Sequence, residues 1–461
     1  MSDFSHTIEW DHEIIERYNS RGPRYTSYPT ALAFNQAVTE TDYRAALTAI
    51  PSNELLSLYV HIPFCFNICY YCGCNKQVTR DYRKATQYLE ALGKEIDHVA
   101  DQLEDPSVVS MHWGGGTPTY LNIRDRQWLM TKLTQAFKIK PEQLDASIEV
   151  DPRTVTPSDI AQLKSMGFNR VSLGVQDFDP KVQQAINREQ SYESVKELVD
   201  AARVSGYRSI SFDLIYGLPH QSVESYRETL ALVAELRPDR ISVFNYAHLP
   251  HRFKAQRKIL KRHLPEPEEK LEILKLCIEF LQQQGYVYIG MDHFALPEDE
   301  LSIAQEQGQL LRNFQGYATG KHTQLIGLGV SSISSVGEYY VQNEKGLSSY
   351  YDAIEREALP VWRGVKLDED DELRRHIIFQ LMCYFNLSVK DIEKTFNISF
   401  WNYFNHIVPR LEIFQRDGLV KYTPSTIEVL PKGRLLIRNI AMLFDKSMEE
   451  LIDIQSFSNA I

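Results

Sequence analysis

The stretch "CFNICYYCGC" (residues 65–74) gathers four of the chain's six cysteines into ten residues. Two disulfides, a zinc site and an iron–sulfur site compete to explain it. Compartment bears on the first. The opening "MSDFSHTIEWDHEIIERYNS" scatters acidic residues and has no apolar core of signal-peptide length. No run of about 18 apolar residues occurs anywhere, so no membrane span is expected. A disulfide framework spreads its cysteines to staple distant loops, and these are knotted in one place. Cys277 in "LEILKLCIEFLQQQG" and Cys383 in "HIIFQLMCYF" read as small buried hydrophobes. The expectation is a cytoplasmic chain with one special cysteine cluster.

Zinc ribbons and knuckles split their ligands into two pairs with a long segment between, because two loops must meet around one tetrahedral ion. Here every ligand would come from one loop, and Cys72 and Cys74, one residue apart, make a pinched chelate for a single ion. An iron–sulfur cluster is larger, so one loop can wrap three of its corners.

Outward from the cysteines the chain alternates. Short β-branched and aromatic runs appear at "SLYVHIP", "VVSMHWG", "ASIEVDP", "RVSLGVQ", "SISFDLIYG" and "RISVFNYA", separated by amphipathic stretches such as "KATQYLEALGKEIDHVADQL" and "SYESVKELVDAARVSG". Six strands alternating with helices predict right-handed βαβ units and a parallel sheet, doubly wound or curved into a barrel. The strand faces favour the barrel. Glu149, Gln176 and Asp213 each sit on a polar face near a strand's C-terminal end, opposite an apolar face. Strands of an open sheet covered on both sides should be nearly all apolar, and barrel enzymes build their sites at those C-terminal ends. After residue 248 the rhythm loosens. "YVYIGMDHFA" reads as a further strand, and "LIGLGVSSISSVGE" (325–338) as turns rather than a regular element. From about residue 368 the order is helix, helix, hairpin, helix, a winged-helix-like arrangement. The expected domains are an N-terminal extension covering the active site (1–55), an α/β barrel domain with its following elements (56–366), and a small, mainly helical C-terminal domain (367–461).

The net charge of −11, with no basic block read from the sequence, argues against nucleic acid or an anionic membrane as partner. An acidic substrate would have to be recognised by particular arginines against the overall field.

The spacing C-x3-C-x2-C at Cys65, Cys69 and Cys72, after a strand and followed by an aromatic-glycine turn, resembles the signature of radical S-adenosylmethionine enzymes. The resemblance implies a partial (β/α)6 TIM-like barrel and one 4Fe–4S cluster held by those three cysteines, with Cys74 outside the ligand set. The fourth iron is left for S-adenosylmethionine. The glycine-rich "WGGGTPTYL" (113–121) fits the segment that hydrogen-bonds the methionine amino group, through Gly115, Gly116 and Thr117.

Longer matches are more specific. "GPRYTSYPT" (22–30), "YVHIPFC" (59–65), "CGCNK" (72–76), "HWGGGTPTYL" (112–121), "SIEVDPR" (147–153), "GVQDF" (174–178), "DLIYGLP" (213–219) and "RNFQGY" (312–317) resemble the oxygen-independent coproporphyrinogen III oxidase family. By that resemblance a first S-adenosylmethionine meets Tyr59, Tyr71, Gly115, Glu149 and Ile333. A second meets Gly116, Thr117, Gln176, Arg188, Asp213 and Ala247. Tyr59, His61 and Glu149 are the catalytic candidates, with a merely loop-orienting His61 as the alternative. The implied reaction is oxygen-free oxidative decarboxylation of two propionates of coproporphyrinogen III to vinyls, giving protoporphyrinogen IX, with a low-potential electron donor of unidentified nature and a monomeric chain. Arg24 and Arg312 are candidate carboxylate anchors, and segment 21–30 is expected to close over the barrel mouth. The competing readings are the sister haem chaperones, which share the cysteine motif, and a non-enzymatic zinc protein.

Overall fold

The computed structural model describes residues 7–52, 54–320 and 324–449. From Leu55 the alternation is realised element by element: β1 (Leu55–Ile62), α1 (Arg83–Ala100), β2 (Ser107–Gly115), α2 (Ile123–Ala136), β3 (Asp145–Val150), α3 (Pro157–Ser165), β4 (Arg170–Gln176), α4 (Tyr192–Val204), β5 (Ser209–Tyr216), α5 (Val223–Leu236) and β6 (Arg240–Asn245). These six strands lie side by side in chain order, each parallel to the next. A doubly wound sheet would reverse its order at a switch point. No reversal occurs between β1 and β6, so the sheet is singly wound and every right-handed crossover puts its helix on the same side.

That one-sidedness explains the strand pattern. Along β3, Ala146, Ile148 and Val150 are buried, while Asp145, Ser147 and Glu149 are only partly so. Along β5, Phe212 and Leu214 are buried and Ser211 and Asp213 partly so. The apolar side of each strand packs under helices, leaving the polar side to line the other face. Helix starts are set by local capping: Thr156 with Asp159 and Ser222 with Ser225 form reciprocal capping boxes on α3 and α5.

The Gly- and Ser-rich stretch expected to be turns is instead sheet. It supplies β7 (Gln324–Leu328), parallel to β1 on its free edge, and β8 (Ile333–Val336), antiparallel to β7. Sheet order continues through β9 (Tyr339–Asn343) to β10 (Val361–Lys366). Glycine and serine have low intrinsic strand preference, but Leu325, Ile326 and Leu328 are buried against the sheet, and packing overrides propensity.

The chain divides into two compact units, not three consecutive pieces. One is Phe34–Cys277 with His322–Lys366, and the other joins Met1–Ala33, Ile278–Lys321 and Leu367–Ile461. Residues from Phe34 belong with the unit that carries the sheet, and Leu367 opens the last stretch of the other unit. The second unit carries the helix Glu369–Tyr384, the antiparallel sheet of Asn386–Ser388, Thr426–Val429 and Val420–Tyr422, and the short helix Ile437–Ala441. "YVYIGMDHFA" becomes two short antiparallel strands, Val287–Gly290 and His293–Ala295. Segment 21–30 is bound within this unit. Buried Arg438 donates to the carbonyls of Gly22 and Pro23, and Tyr25 donates its hydroxyl to Asp445.

Between α1 and the turn joining β7 to β8, a buried carboxylate ties the sheet's edge together. Glu95 accepts from the Gly329 amide (2.8 Å), the Asn343 side-chain amide (2.6 Å) and the Tyr350 hydroxyl (2.5 Å). Burial pushes its carboxyl up to about 7, despite these three donors. A folded-state value above the ordinary 4.5 means that the folded chain holds an extra proton between pH 4.5 and 7, so stability falls as pH rises through that window. Glu95→Gln should remove this component. The wild-type-minus-variant difference in unfolding free energy should move by on the order of 3 kcal/mol across the window. Urea titrations at a series of pH values measure it, and parallel wild-type and variant profiles would refute a titrating Glu95.

Candidate active site

The cysteine loop is pinned at both ends. Phe64–Cys65 pairs in parallel with Gln77–Val78, with the Gln77 amide on the Pro63 carbonyl (2.6 Å) and the Thr79 amide on the Cys65 carbonyl (3.0 Å). Its middle is held by the Tyr70 amide on the Ile186 carbonyl (2.9 Å) and by the Asn187 side chain donating to the Ile68 carbonyl (2.7 Å). The glycine turn after β2 crosses beneath. Gly116 donates to the Ile62 carbonyl and Thr117 to the Phe64 carbonyl, each at 2.8 Å. A β-carbon on Gly116 would lie 2.8–2.9 Å from the Pro63 and Phe64 backbone. Only glycine lets these two backbones run so close.

A cavity of about 230 Å³ opens here, lined by Cys65, Cys69, Cys72 and Cys74 from the loop, Gly115 to Thr117 from the turn, and Glu149, Gly174, Gln176, Arg188 and Asp213 from the strand ends and beyond. Two guanidinium groups converge on one sulfur. Arg153 Nη2 lies 3.3 Å and Arg188 Nη1 3.4 Å from Cys69 Sγ. Both arginines are also held by Asp151, at 2.6 Å and 3.3 Å. Burial raises the Asp151 carboxyl, but the hydrogen bond from Arg153 and the charges of both arginines outweigh it and keep the group below its ordinary value. Cys69 Sγ therefore accepts from two cationic donors. Cys65 instead faces the Thr117 hydroxyl at 3.5 Å, and burial pushes its thiol up to about 11. Of the Cys72–Cys74 pair, Cys72 is the group pulled down, chiefly by a hydrogen bond from the Cys74 side chain, and Cys74 is driven up by the same bond.

Beside the thiols runs a hydrogen-bonded chain of polar residues. His112 bridges Ser147 Oγ (2.6 Å) and Glu149 Oε1 (3.2 Å), and its ring stacks on Tyr59 at 5.9 Å. Burial raises the Glu149 carboxyl, but the His112 bond and the Gly115 amide win and hold it ionised, below the ordinary carboxylate value. Asp213, accepting from Ser172 at 3.3 Å, is pushed up to about 7 by burial and then by the Glu149 charge. One cavity thus holds one carboxylate kept charged and one poised near neutrality. Burial lowers His61, so the ring is neutral. Its Nε2 contacts the Asn75 carbonyl (3.1 Å), which can only accept, so the proton sits there and Nδ1 accepts from the Tyr59 hydroxyl (3.0 Å).

Of the residues expected from sequence, Cys65, Cys69, Cys72, Tyr71, Gly115, Gly116, Thr117, Glu149, Gln176, Arg188 and Asp213 line this one cavity. Tyr59 and His61 stand behind it, reaching it through His112 and the loop. Ala247 touches its margin only through Gln256, which spans the Ala247 and Tyr71 carbonyls. Ile333 packs with its backbone against Gly327. Gln176 reaches the cavity by an unexpected route, a bulge after Gly174 and a left-handed backbone at φ +68°. Arg24 and Arg312 do not line this cavity. Arg24 is paired with Asp292, and buried Arg312 donates to the Arg24 and Tyr25 carbonyls at 3.0 Å. Sequence reasoning passed over His112, Asp151 and Arg153. All three lie in quoted motifs, and His112 pairs in register with Ser147, two residues before Glu149.

A family model for the Radical SAM superfamily matches residues 59–233, and one for the HemN C-terminal domain matches 367–436. The oxygen-independent coproporphyrinogen III oxidase of Escherichia coli is 50% identical over 454 residues, spanning 98% of this chain and 99% of that protein. The chain belongs to the oxygen-independent coproporphyrinogen III oxidase family. The relatives from Pseudomonas aeruginosa and Synechocystis are 48% and 43% identical, each over 99% of both chains. The solved structure of Escherichia coli coproporphyrinogen III oxidase, described as a radical SAM enzyme, superposes with a TM-score of 0.92 over 96% of this chain and all of that one, at 49% identity. The singly wound α/β fold, its helical C-terminal region and enzyme class are those of this family. A 4Fe–4S cluster and S-adenosylmethionine belong to its chemistry. The residues fit such a cluster: three thiols from one pinned loop face one cavity, and one sulfur already meets two cations.

Gly116→Ala tests the close crossing. Overpacking of this kind costs about 1–3 kcal/mol, so the variant should melt several degrees lower and take up less iron on anaerobic reconstitution. Unchanged melting with full iron would show that the two backbones can part.

Proposed function

We propose that the chain catalyses the oxygen-independent oxidative decarboxylation of coproporphyrinogen III to protoporphyrinogen IX, as a monomer in the cytoplasm. One observation carries the reading: Cys65, Cys69 and Cys72 line a single cavity together with the ionised Glu149 and the Gly115 turn, at the C-terminal edge of a sheet matched over its whole length by named oxidases. When bound, the cluster and S-adenosylmethionine would supply radical chemistry able to remove a hydrogen atom from the substrate.

The chain's own groups do the rest. Cys65, Cys69 and Cys72 would hold the cluster. Arg153 and Arg188 donate to the Cys69 sulfur and would offset part of the cluster's negative charge. Glu149, kept ionised by His112 and the Gly115 amide, would hold the ammonium of a first S-adenosylmethionine. Tyr59 supports Glu149 through His112, and His61 holds the loop after Cys74 through the Asn75 carbonyl. These are positioning residues. Gly116, Thr117, Gln176, Arg188 and Asp213 form the second flank of the cavity and suit a second S-adenosylmethionine. There the Asp213 carboxyl, near neutrality, can accept from or donate to a hydroxyl.

Cys65→Ser, Cys69→Ser and Cys72→Ser should each remove most of the 4Fe–4S electron paramagnetic resonance signal and all vinyl product. Cys74→Ser should keep wild-type iron and sulfide. Anaerobic turnover of coproporphyrinogen III with S-adenosylmethionine and a reductant is the decisive assay. Cluster loss in Cys74→Ser, or full cluster content in any of the other three, would overturn the ligand assignment.

A further inference from the structure

Residues 252–262, "RFKAQRKILKR", hold six Lys and Arg and no Asp or Glu, in a chain of net charge −11. The absence of a basic block expected from the charge total is corrected here: an acidic sum conceals one concentrated basic segment. It forms two short turns, Lys254–Lys258 and Lys261–His263, with all six cationic side chains exposed. None of the six pairs with a carboxylate among the described residues.

The segment is fastened to the outside of the cysteine loop. Buried Gln256 donates to the Tyr71 carbonyl (2.9 Å), the Phe253 ring covers Gly73 so closely that a β-carbon there would lie 3.0 Å from it, and Ile259 packs in the cluster that includes Tyr70 and Tyr71. On the loop's far end, the Lys345 carbonyl accepts from Asn75 at 3.2 Å. Burial, then the charges of Arg363 and Arg252, lower the Lys345 ammonium, so these cations crowd one another. None of the six lines the cavity, so they are badly placed to grip a substrate inside it. A solvated face would intersperse both signs. Unneutralised cations gathered beside a redox site, on a protein otherwise anionic, make a local field that attracts an acidic surface.

We propose that Arg252–Arg262, with Lys345 and Arg363, is the docking surface for an acidic protein electron carrier of flavin or iron–sulfur type. It would deliver electrons to the cluster across the Tyr71–Cys74 side of the loop. The carrier loses one electron and the cluster passes from the 2+ to the 1+ state, with no bond or proton exchanged. The inference rests on the cluster reading above.

The test uses anaerobically reconstituted holoenzyme and photoreduced flavodoxin as the acidic carrier, with dithionite as a small reductant. Cluster bleaching is followed by stopped flow. The wild-type rate with flavodoxin should fall steeply as salt rises from about 20 to about 300 mM. Combined Arg252→Glu, Lys254→Glu, Lys258→Glu and Lys261→Glu should slow it by ~10-fold or more at low salt. The same positions changed to Gln should fall between, with iron content, circular dichroism and dithionite rate near wild type. Equal flavodoxin rates in all three proteins would overturn the proposal. So would a variant whose only defect is a raised KM for coproporphyrinogen III, which would make the field a substrate funnel. Wild-type protein that dithionite cannot reduce would instead refute the cluster reading.

Discussion

Everything at the active site hangs on two backbones that cross without a side chain between them. Gly116 and Thr117 donate to the Ile62 and Phe64 carbonyls at 2.8 Å, and this fixes the height of the cysteine loop over the turn after β2. The loop supplies the sulfurs, and the turn supplies free backbone and the Gly115 amide bonded to Glu149 at 3.3 Å. If that crossing widens, the thiols and the ionised acid no longer face the same volume. The singly wound sheet is the platform that makes the crossing reproducible, since it delivers successive strand ends in chain order to one rim.

Charge within the cavity is divided by environment more than by residue type. Glu149 and Asp213 are both acids on neighbouring parts of the same face, yet one is stabilised as an anion and the other pushed up to about 7. The difference lies in donors. Glu149 has a histidine and a main-chain amide, whereas Asp213 has hydroxyls and Glu149's own negative charge. Arg153 and Arg188 balance the other end, where Asp151 keeps both of them aimed at Cys69.

Much of this was legible in the sequence because it follows period and spacing. Alternation along β3 and β5 exposed Glu149 and Asp213, and the cysteine cluster marked the loop whose four thiols line the cavity. What stayed hidden depends on contacts distant in sequence. The β7–β8 edge was lost because Gly and Ser look like turn until buried Leu325 and Leu328 are seen. Glu95 looked like one acid among many on an amphipathic helix, and only partners at 329, 343 and 350 reveal its burial. Arg24 and Arg312 drew attention as cations, but sequence could not show that Arg24 pairs with Asp292 or that Arg312 donates to the Arg24 and Tyr25 carbonyls. Summed charge hid the basic segment, because a total cannot report where charges sit.

The division of the chain also orders its synthesis. The unit that carries the cysteines is complete once Lys366 has been made, but the other unit draws on residues both before Phe34 and after Lys366. The carbonyls of Gly22 and Pro23 wait for Arg438, more than four hundred residues downstream. Residues 22–25 are therefore synthesised long before the residues that hold them, and settle after the cysteine-bearing unit can already have closed. Such long-range pairings are the slow ones to form. A nascent chain halted near residue 366 would hold every thiol of the cysteine loop while Gly22, Pro23 and Tyr25 still awaited Arg438 and Asp445.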